Sequence, residues 1–148
     1  MSKIRENIHS IKEQMQKFHK NSIFAKSPVP KLVAVSKKQE DYKIIEALEM
    51  GQKYFGENRV QEAQQRWVSK IKHYENIELR LIGPLQTNKI KQALNLFDII
   101  ETIDREKLAK EITIKIKNDS KTKSFYIQIN WGKETQKSGI EPLQADTF

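Results

Sequence analysis

Apolar residues open the chain at helical steps: Ile4, Ile8, Ile11, Met15 and Phe18 follow one another by four, three, four and three positions. That spacing lays one apolar stripe along a helix and predicts a helix over 3–20. Beyond Pro28 and Pro30 the pattern changes. Short β-favouring runs at 31–37, 53–58, 78–84, 98–104 and 124–131 alternate with stretches at 40–50, 59–73, 87–96 and 105–118, whose apolar residues return at helical spacing, as in Ile44-Ile45-Leu48 and Leu108-Ile112-Ile116. The pattern is a repeated βα unit whose strands start every 20 to 26 residues. Such a rhythm suits a parallel sheet with right-handed crossovers, either a barrel or a doubly wound sheet. No glycine-rich phosphate loop follows the first strand, which weighs against a nucleotide-binding doubly wound fold.

The rhythm also sets a length. Eight such units and a leading helix need roughly 210 residues, the size of a compact (β/α)8 barrel. These 148 residues hold five strands. As a barrel the chain would be one α/β domain over 1–148 of the TIM-barrel type, with βα units from 31 onward, truncated after about five strands. Its fifth strand is expected to leave an open edge, so the chain is either monomeric or self-associating through that edge.

Composition narrows the chemistry. There is no Cys, and three scattered His (His9, His19, His73) are too few and too far apart in sequence for a metal centre. The net charge of +8 favours anionic partners, yet the Lys excess is spread along the chain without a finger motif, a basic heptad or an aromatic RNA-binding motif, so nucleic acid is not an expected partner. No apolar run approaches the length that spans a bilayer, and Glu6 and Glu13 in the first helix argue against a transit peptide. The reading is a cytoplasmic protein with no membrane partner.

In α/β barrels the C-terminal strand ends build the site. Alternation puts Val33, Val35 and Lys37 on one face of the first run, and a Lys closing an apolar strand is a candidate for Schiff-base chemistry. Only about one Lys in 2,500 is neutral at pH 7 at its ordinary pKa, so such a site has to favour the free amine, and Arg80 and Lys38 are the available cations. The same alternation groups Tyr54, Gly56 and Asn58, then Arg80 and Ile82, then Gln128 and Asn130. If those faces point inward, Lys37, Asn58, Arg80 and Asn130 converge on one mouth. Each also has a plainer role: Lys37 as a solvated loop residue, Asn58 as an N-cap, Asn130 as the shaper of the next turn. Thr87 and Asn88 in GPLQTNK open a helix that could receive an anion, and the loop KETQKSG (133–139) could close over a phosphate.

The segments VAVSK (33–37), FGENRVQE (55–62), LIGPLQTNK (81–89), TIDR (102–105) and IQINWGKETQKSG (127–139), in this order and spacing, resemble the YggS/PROSC family of pyridoxal phosphate homeostasis proteins. The resemblance runs from about Lys31 to Gly139. It implies a barrel like the N-terminal domain of alanine racemase, pyridoxal 5′-phosphate held as a Schiff base on Lys37, Asn58 beside the cofactor ring, and a role in vitamin B6 and amino-acid balance with no established reaction. Arg80 stands where many family members have His. The Ser/Gly-rich and Arg-x-Gly segments that hold the cofactor phosphate in the family have no counterpart in these 148 residues. A racemase-like enzyme would need a second acid–base group opposite Lys37; a non-functional remnant would bind no cofactor.

Overall fold

The computed structural model describes residues 2–132, 134 and 136–148. Helix α1 spans Lys3–Lys20 and has complementary ends: the Ser2 side chain accepts from the Arg5 amide, Glu6 lies in the first turn, and Lys17, His19 and Lys20 lie in the last. Its apolar stripe is used unevenly. Ile8 packs against the core, but Phe18 is 70% exposed, so the second half of the predicted stripe faces a shallow groove walled by Phe24, Pro28 and Pro30.

Five short strands follow, β1 (Ala34–Val35), β2 (Tyr54–Glu57), β3 (Glu78–Leu81), β4 (Ile99–Ile103) and β5 (Ser124–Ile127), separated by helices α2 (Asp41–Glu49), α3 (Val60–His73), α4 (Ile90–Leu96) and α5 (Glu106–Lys115). All pairings are parallel, and the strand order is β1-β2-β3-β4-β5. This order decides between the two architectures left open by the sequence. A doubly wound sheet reverses its strand order at a switch point, whereas crossovers of one hand along an in-order sheet keep every helix on one face. The chain is an open, five-stranded portion of a (β/α) barrel.

The strands are shorter than the runs that predict them. The run at 31–37 pairs over only two residues because Lys37 and Lys38 already form a turn, and the run at 78–84 ends before Gly83-Pro84, where Pro has no N–H for a ladder. Thr87–Lys89 is a 3-10 turn leading into α4, and no side chain caps its start, so the segment predicted as one helix over 87–96 is a turn joined to a seven-residue helix. Helix α2 ends in a glycine cap: Gly51 takes φ +77, its N–H reaches Leu48 O at 2.9 Å, and the Gln52 N–H reaches Ala47 O at 3.0 Å.

The core lies between the sheet and the helices. Phe55, Leu79, Leu81 and Ile100 meet Ala63, Trp67, Ala93, Leu94, Leu108 and Ile112 there. Side chains alternate, so the opposite face is a separate, concave surface. A bulge in β4 between Ile100 and Ile103 shifts the register, so that Ile103 returns to the core beside Ile127. Beyond β5 the pattern of cover stops: Phe125 and Ile127, in register with buried Ile100 and Ile103, are 37% and 48% exposed.

Leu79 on β3 is fully buried in the core between the sheet and the helices. Leu79→Ala is expected to destabilise the chain by about 3 kcal/mol through lost burial and the cavity left behind, read as a lower urea midpoint at unchanged slope.

Candidate functional site

Gly56 identifies the concave face. A Cβ at this position would lie 2.9 Å from Ile82 Cδ1 and 3.4 Å from Val33 Cγ1, so Gly56 and these two residues, which flank the neighbouring strands β3 and β1, point the same way. Val35, Gly56 and Arg80 are in register across β1, β2 and β3. Lys37, Asn58 and Ile82 each follow by two residues, roughly 6.6 Å further along the strands at about 3.3 Å per residue. The predicted set thus separates into levels, with Arg80 one pleat deeper than Lys37 and Asn58.

Lys37 is exposed and stands in a tight turn, closed by the Gln39 N–H donating to Ser36 O at 3.1 Å. Lys38, beside it, takes φ +56, a conformation uncommon for a residue with a side chain. Among the described residues the Lys37 ammonium has no hydrogen bond or ion pair. Asn58 is half-buried just past β2, and its side chain also has no described partner. It does not cap α3, whose N-cap position is Arg59 and carries no side-chain cap. What fixes Asn58 is Gly83: a Cβ there would come within 2.3 Å of Asn58 O and 2.7 Å of its Cα. Only glycine lets β3 exit this close to the backbone of Asn58.

Arg80 is committed elsewhere. Its Nε donates to Glu78 Oε1 at 2.8 Å and its Nη1 to Glu101 Oε1 at 2.8 Å. Burial acts to lower its pKa, and the hydrogen bonds to Glu101 and Glu78 outweigh that and raise it. Lys31 extends the cluster, 3.3 Å from Glu78 Oε2 and 4.6 Å above the Tyr54 ring. Two carboxylates therefore balance the cation expected to sit free beside Lys37, and Arg80 acts as a cross-strand tie in the barrel floor. Asn130 is committed too. Its Oδ1 accepts from the Glu134 N–H at 3.1 Å and its Nδ2 donates to Glu134 O at 2.8 Å and Lys137 O at 3.2 Å, the clasp of the loop that follows β5. Of that loop, Lys133 and Thr135 lie outside the described residues.

A cavity of about 780 Å³ opens at the strand ends, lined by Asn58, Gln61, Gln86, Lys89, Asp104 and Arg105 among others. From the predicted set it takes Asn58, and not Lys37, Arg80 or Asn130. Arg105 pairs with Asp104 and donates to Leu85 O at 3.0 Å, which leaves Lys89 as a lining cation with no described partner. Thr87 and Asn88 contribute no helix start to it, since they lie in the 3-10 turn.

One residue carries a role that the sequence pattern did not suggest. Glu57 points opposite to Gly56 and Asn58, into the helix-side core, with no exposure. Its Oε1 accepts from Ser36 Oγ at 2.7 Å, Arg66 Nη1 at 2.8 Å and Trp67 Nε1 at 3.0 Å, while Oε2 has no partner. The signal was available: once alternation assigns Gly56 and Asn58 to the inner face, the acid between them must face an apolar layer, where it requires a partner. Among the described residues no group of three or more His, Asp or Glu is arranged to hold a metal ion, and no helix is long and apolar enough to cross a membrane.

The family profile described as alanine racemase, N-terminal domain, matches residues 1–148. The chain is 39% identical over 154 aligned residues to the pyridoxal phosphate homeostasis protein of Vibrio cholerae serotype O1, covering 100% of this chain and 63% of that protein. It is 36% identical over 149 residues to the protein of the same name from Haemophilus influenzae, covering 98% and 61%. The structure of PipY from Synechococcus elongatus without PLP superimposes with a TM-score of 0.82 at 28% identity, covering 98% of this chain and 62% of that one; the PLP-bound form gives 0.73. The chain thus spans less than two thirds of the length of these relatives.

Gly83→Ala is expected to cost at least about 2 kcal/mol, because the contact it creates is with backbone that cannot rotate away. Thermal unfolding gives the cost, and a shift of the Asn58 amide resonance larger than that of Leu79 shows that the strain is local.

Proposed function

Because this chain belongs to the family of alanine racemase N-terminal domains, we propose that it binds pyridoxal 5′-phosphate, carries it as a Schiff base on Lys37, and serves vitamin B6 and amino-acid homeostasis in the cytoplasm. The observation that carries this reading is the Lys37 ammonium, without a partner among the described residues, in a turn at the end of β1, two residues past Val35 as Asn58 is two past its register partner Gly56. A primary amine without a competing carboxylate can condense with an aldehyde, and its position at a C-terminal strand end is the one barrels use for chemistry. When bound, the cofactor supplies an electrophilic aldehyde and an electron-withdrawing ring. Lys37 holds that aldehyde covalently, Asn58 offers an amide to the ring, and Gly83 keeps Asn58 at its level. Arg80 acts from below as the cross-strand tie and Asn130 from the side as the clasp of the loop after β5, so neither makes the principal contact to the cofactor.

The role is to hold and deliver the cofactor and not to turn over a substrate. The names of the Vibrio and Haemophilus relatives support homeostasis, and the PLP-bound form of PipY supports the ligand. Affinity of these 148 residues is modest, because the family's phosphate-holding segments have no counterpart among them. The chain is a monomer in dilute solution and self-associates, at higher concentration, through the exposed edge at β5.

The test is visible absorption of the purified chain with added pyridoxal 5′-phosphate, followed by borohydride reduction and peptide mapping. A yellow species that reduces onto Lys37 is expected, and Lys37→Ala should lower the trapped yield about tenfold or more. Equal trapping on Lys37→Ala, or trapping spread evenly over the exposed lysines, would refute the assignment. Amino-acid racemisation by the loaded chain above the rate of free cofactor would argue for the enzymatic reading instead.

A further inference from the structure

We infer that Arg66, braced by the buried Glu57 carboxylate, is a positioning residue that holds both ends of the turn bearing Lys37; its meaning for the cofactor rests on the function proposed above. The turn runs Ser36-Lys37-Lys38-Gln39. At its first end Ser36 is buried between strands: its N–H donates to Gly56 O at 3.0 Å and its hydroxyl to Glu57 Oε1 at 2.7 Å. Arg66, from the middle of α3, donates through Nη1 to Ser36 O at 3.1 Å and through Nη2 to Gln39 O at 3.4 Å, the second the longer contact. The same Nη1 donates to Glu57 Oε1 at 2.8 Å.

One planar guanidinium therefore spans the carbonyls that flank Lys37 and Lys38, and a carboxylate fixed by Trp67 sets its orientation. A Lys ammonium could pair with Glu57 but could not span two carbonyls with a rigid fork. The arrangement explains two costs the fold otherwise bears: a fully buried Glu57 with one unpartnered oxygen, and the left-handed backbone of Lys38. Both persist where surrounding structure over-determines them, and such positions gather at functional sites. Held in this way, Lys37 meets an incoming aldehyde from a fixed backbone, although its own side chain is unpaired. Random surface lysines, of which the chain has many, lack that preorganisation.

The experiment has two readouts on the full chain. Amide hydrogen exchange of the ligand-free protein reads the Gln39 N–H, whose bond to Ser36 O closes the turn. Arg66→Met should speed its exchange about tenfold, and Arg66→Lys should restore less than half of the protection. Ile112→Val, a mild core truncation on α5, serves as the control for general loosening and should leave the Gln39 exchange rate at its wild-type value. The second readout is borohydride trapping with pyridoxal 5′-phosphate, normalised to folded protein: Arg66→Met and Glu57→Gln should lower the share of label on Lys37 about fivefold relative to other lysines, whereas Ile112→Val keeps the wild-type share. Unchanged Gln39 exchange in Arg66→Met, or an equal rise in Ile112→Val, overturns the clamp. Altered exchange with no Lys37 label even in the wild type keeps the clamp as a feature of the turn and overturns the function proposed for it.

Discussion

Parallel pairing of five strands in chain order is the constraint on which the rest of the molecule depends. Parallel neighbours need crossovers, the crossovers are helices, and crossovers of one hand along an in-order sheet must all lie on the same side. From that follow a helix-side core and, on the other side of the sheet, a face that the crossover helices leave free. It also follows that every strand points its C-terminal end the same way, which brings Lys37, Asn58, Gly83 and Asp104 to one end of the sheet from segments far apart in sequence.

The helix-side core holds a fully buried carboxylate, Glu57. A carboxylate without solvent is tolerated there because three donors, from the hydroxyl of Ser36, the guanidinium of Arg66 and the indole of Trp67, meet one of its oxygens. Removing any one donor leaves a buried charge under-satisfied, which is costlier than losing an ordinary hydrogen bond. The node thereby couples α3, the end of β1 and the following turn. A charged group in the core and the Lys37 amine at the end of β1 are parts of one local arrangement on opposite faces of the same strand pair.

The concave face follows different rules. Glu78, Arg80 and Glu101, half-buried, and the more exposed Lys31 lie there as an alternating, mutually compensating series of charges. Such a floor is rigid without being strongly charged, so it holds the strands in register without competing for an anion at the rim. Towards β5 the cover thins, and Phe125 and Ile127 stay open where the equivalent residues of β4 are buried. Their exposure at an unpaired strand disposes this edge to meet another chain.

The sequence alone determined the alternation of elements, because periods of 2 and 3.6 are written locally: the first helix at 3–20, five β-favouring runs, and Lys37 and Asn58 as residues at strand ends. Its motifs also pointed to the family before any geometry was known. Strand ends were less legible, since the turn at Lys37-Lys38 and the exit at Gly83-Pro84 trade ladder bonds for local ones. Tertiary structure alone decided that Arg80 is neutralised by Glu78 and Glu101, that Asn130 is spent on its loop, and that Phe18 finds no core. It also decided that Arg66 reaches back across 30 residues of chain to Ser36. The reason is physical: a residue's type and period are properties of its neighbours in sequence, whereas a charge or an amide is free or engaged according to partners that only the packed sheet and helices bring within hydrogen-bonding reach.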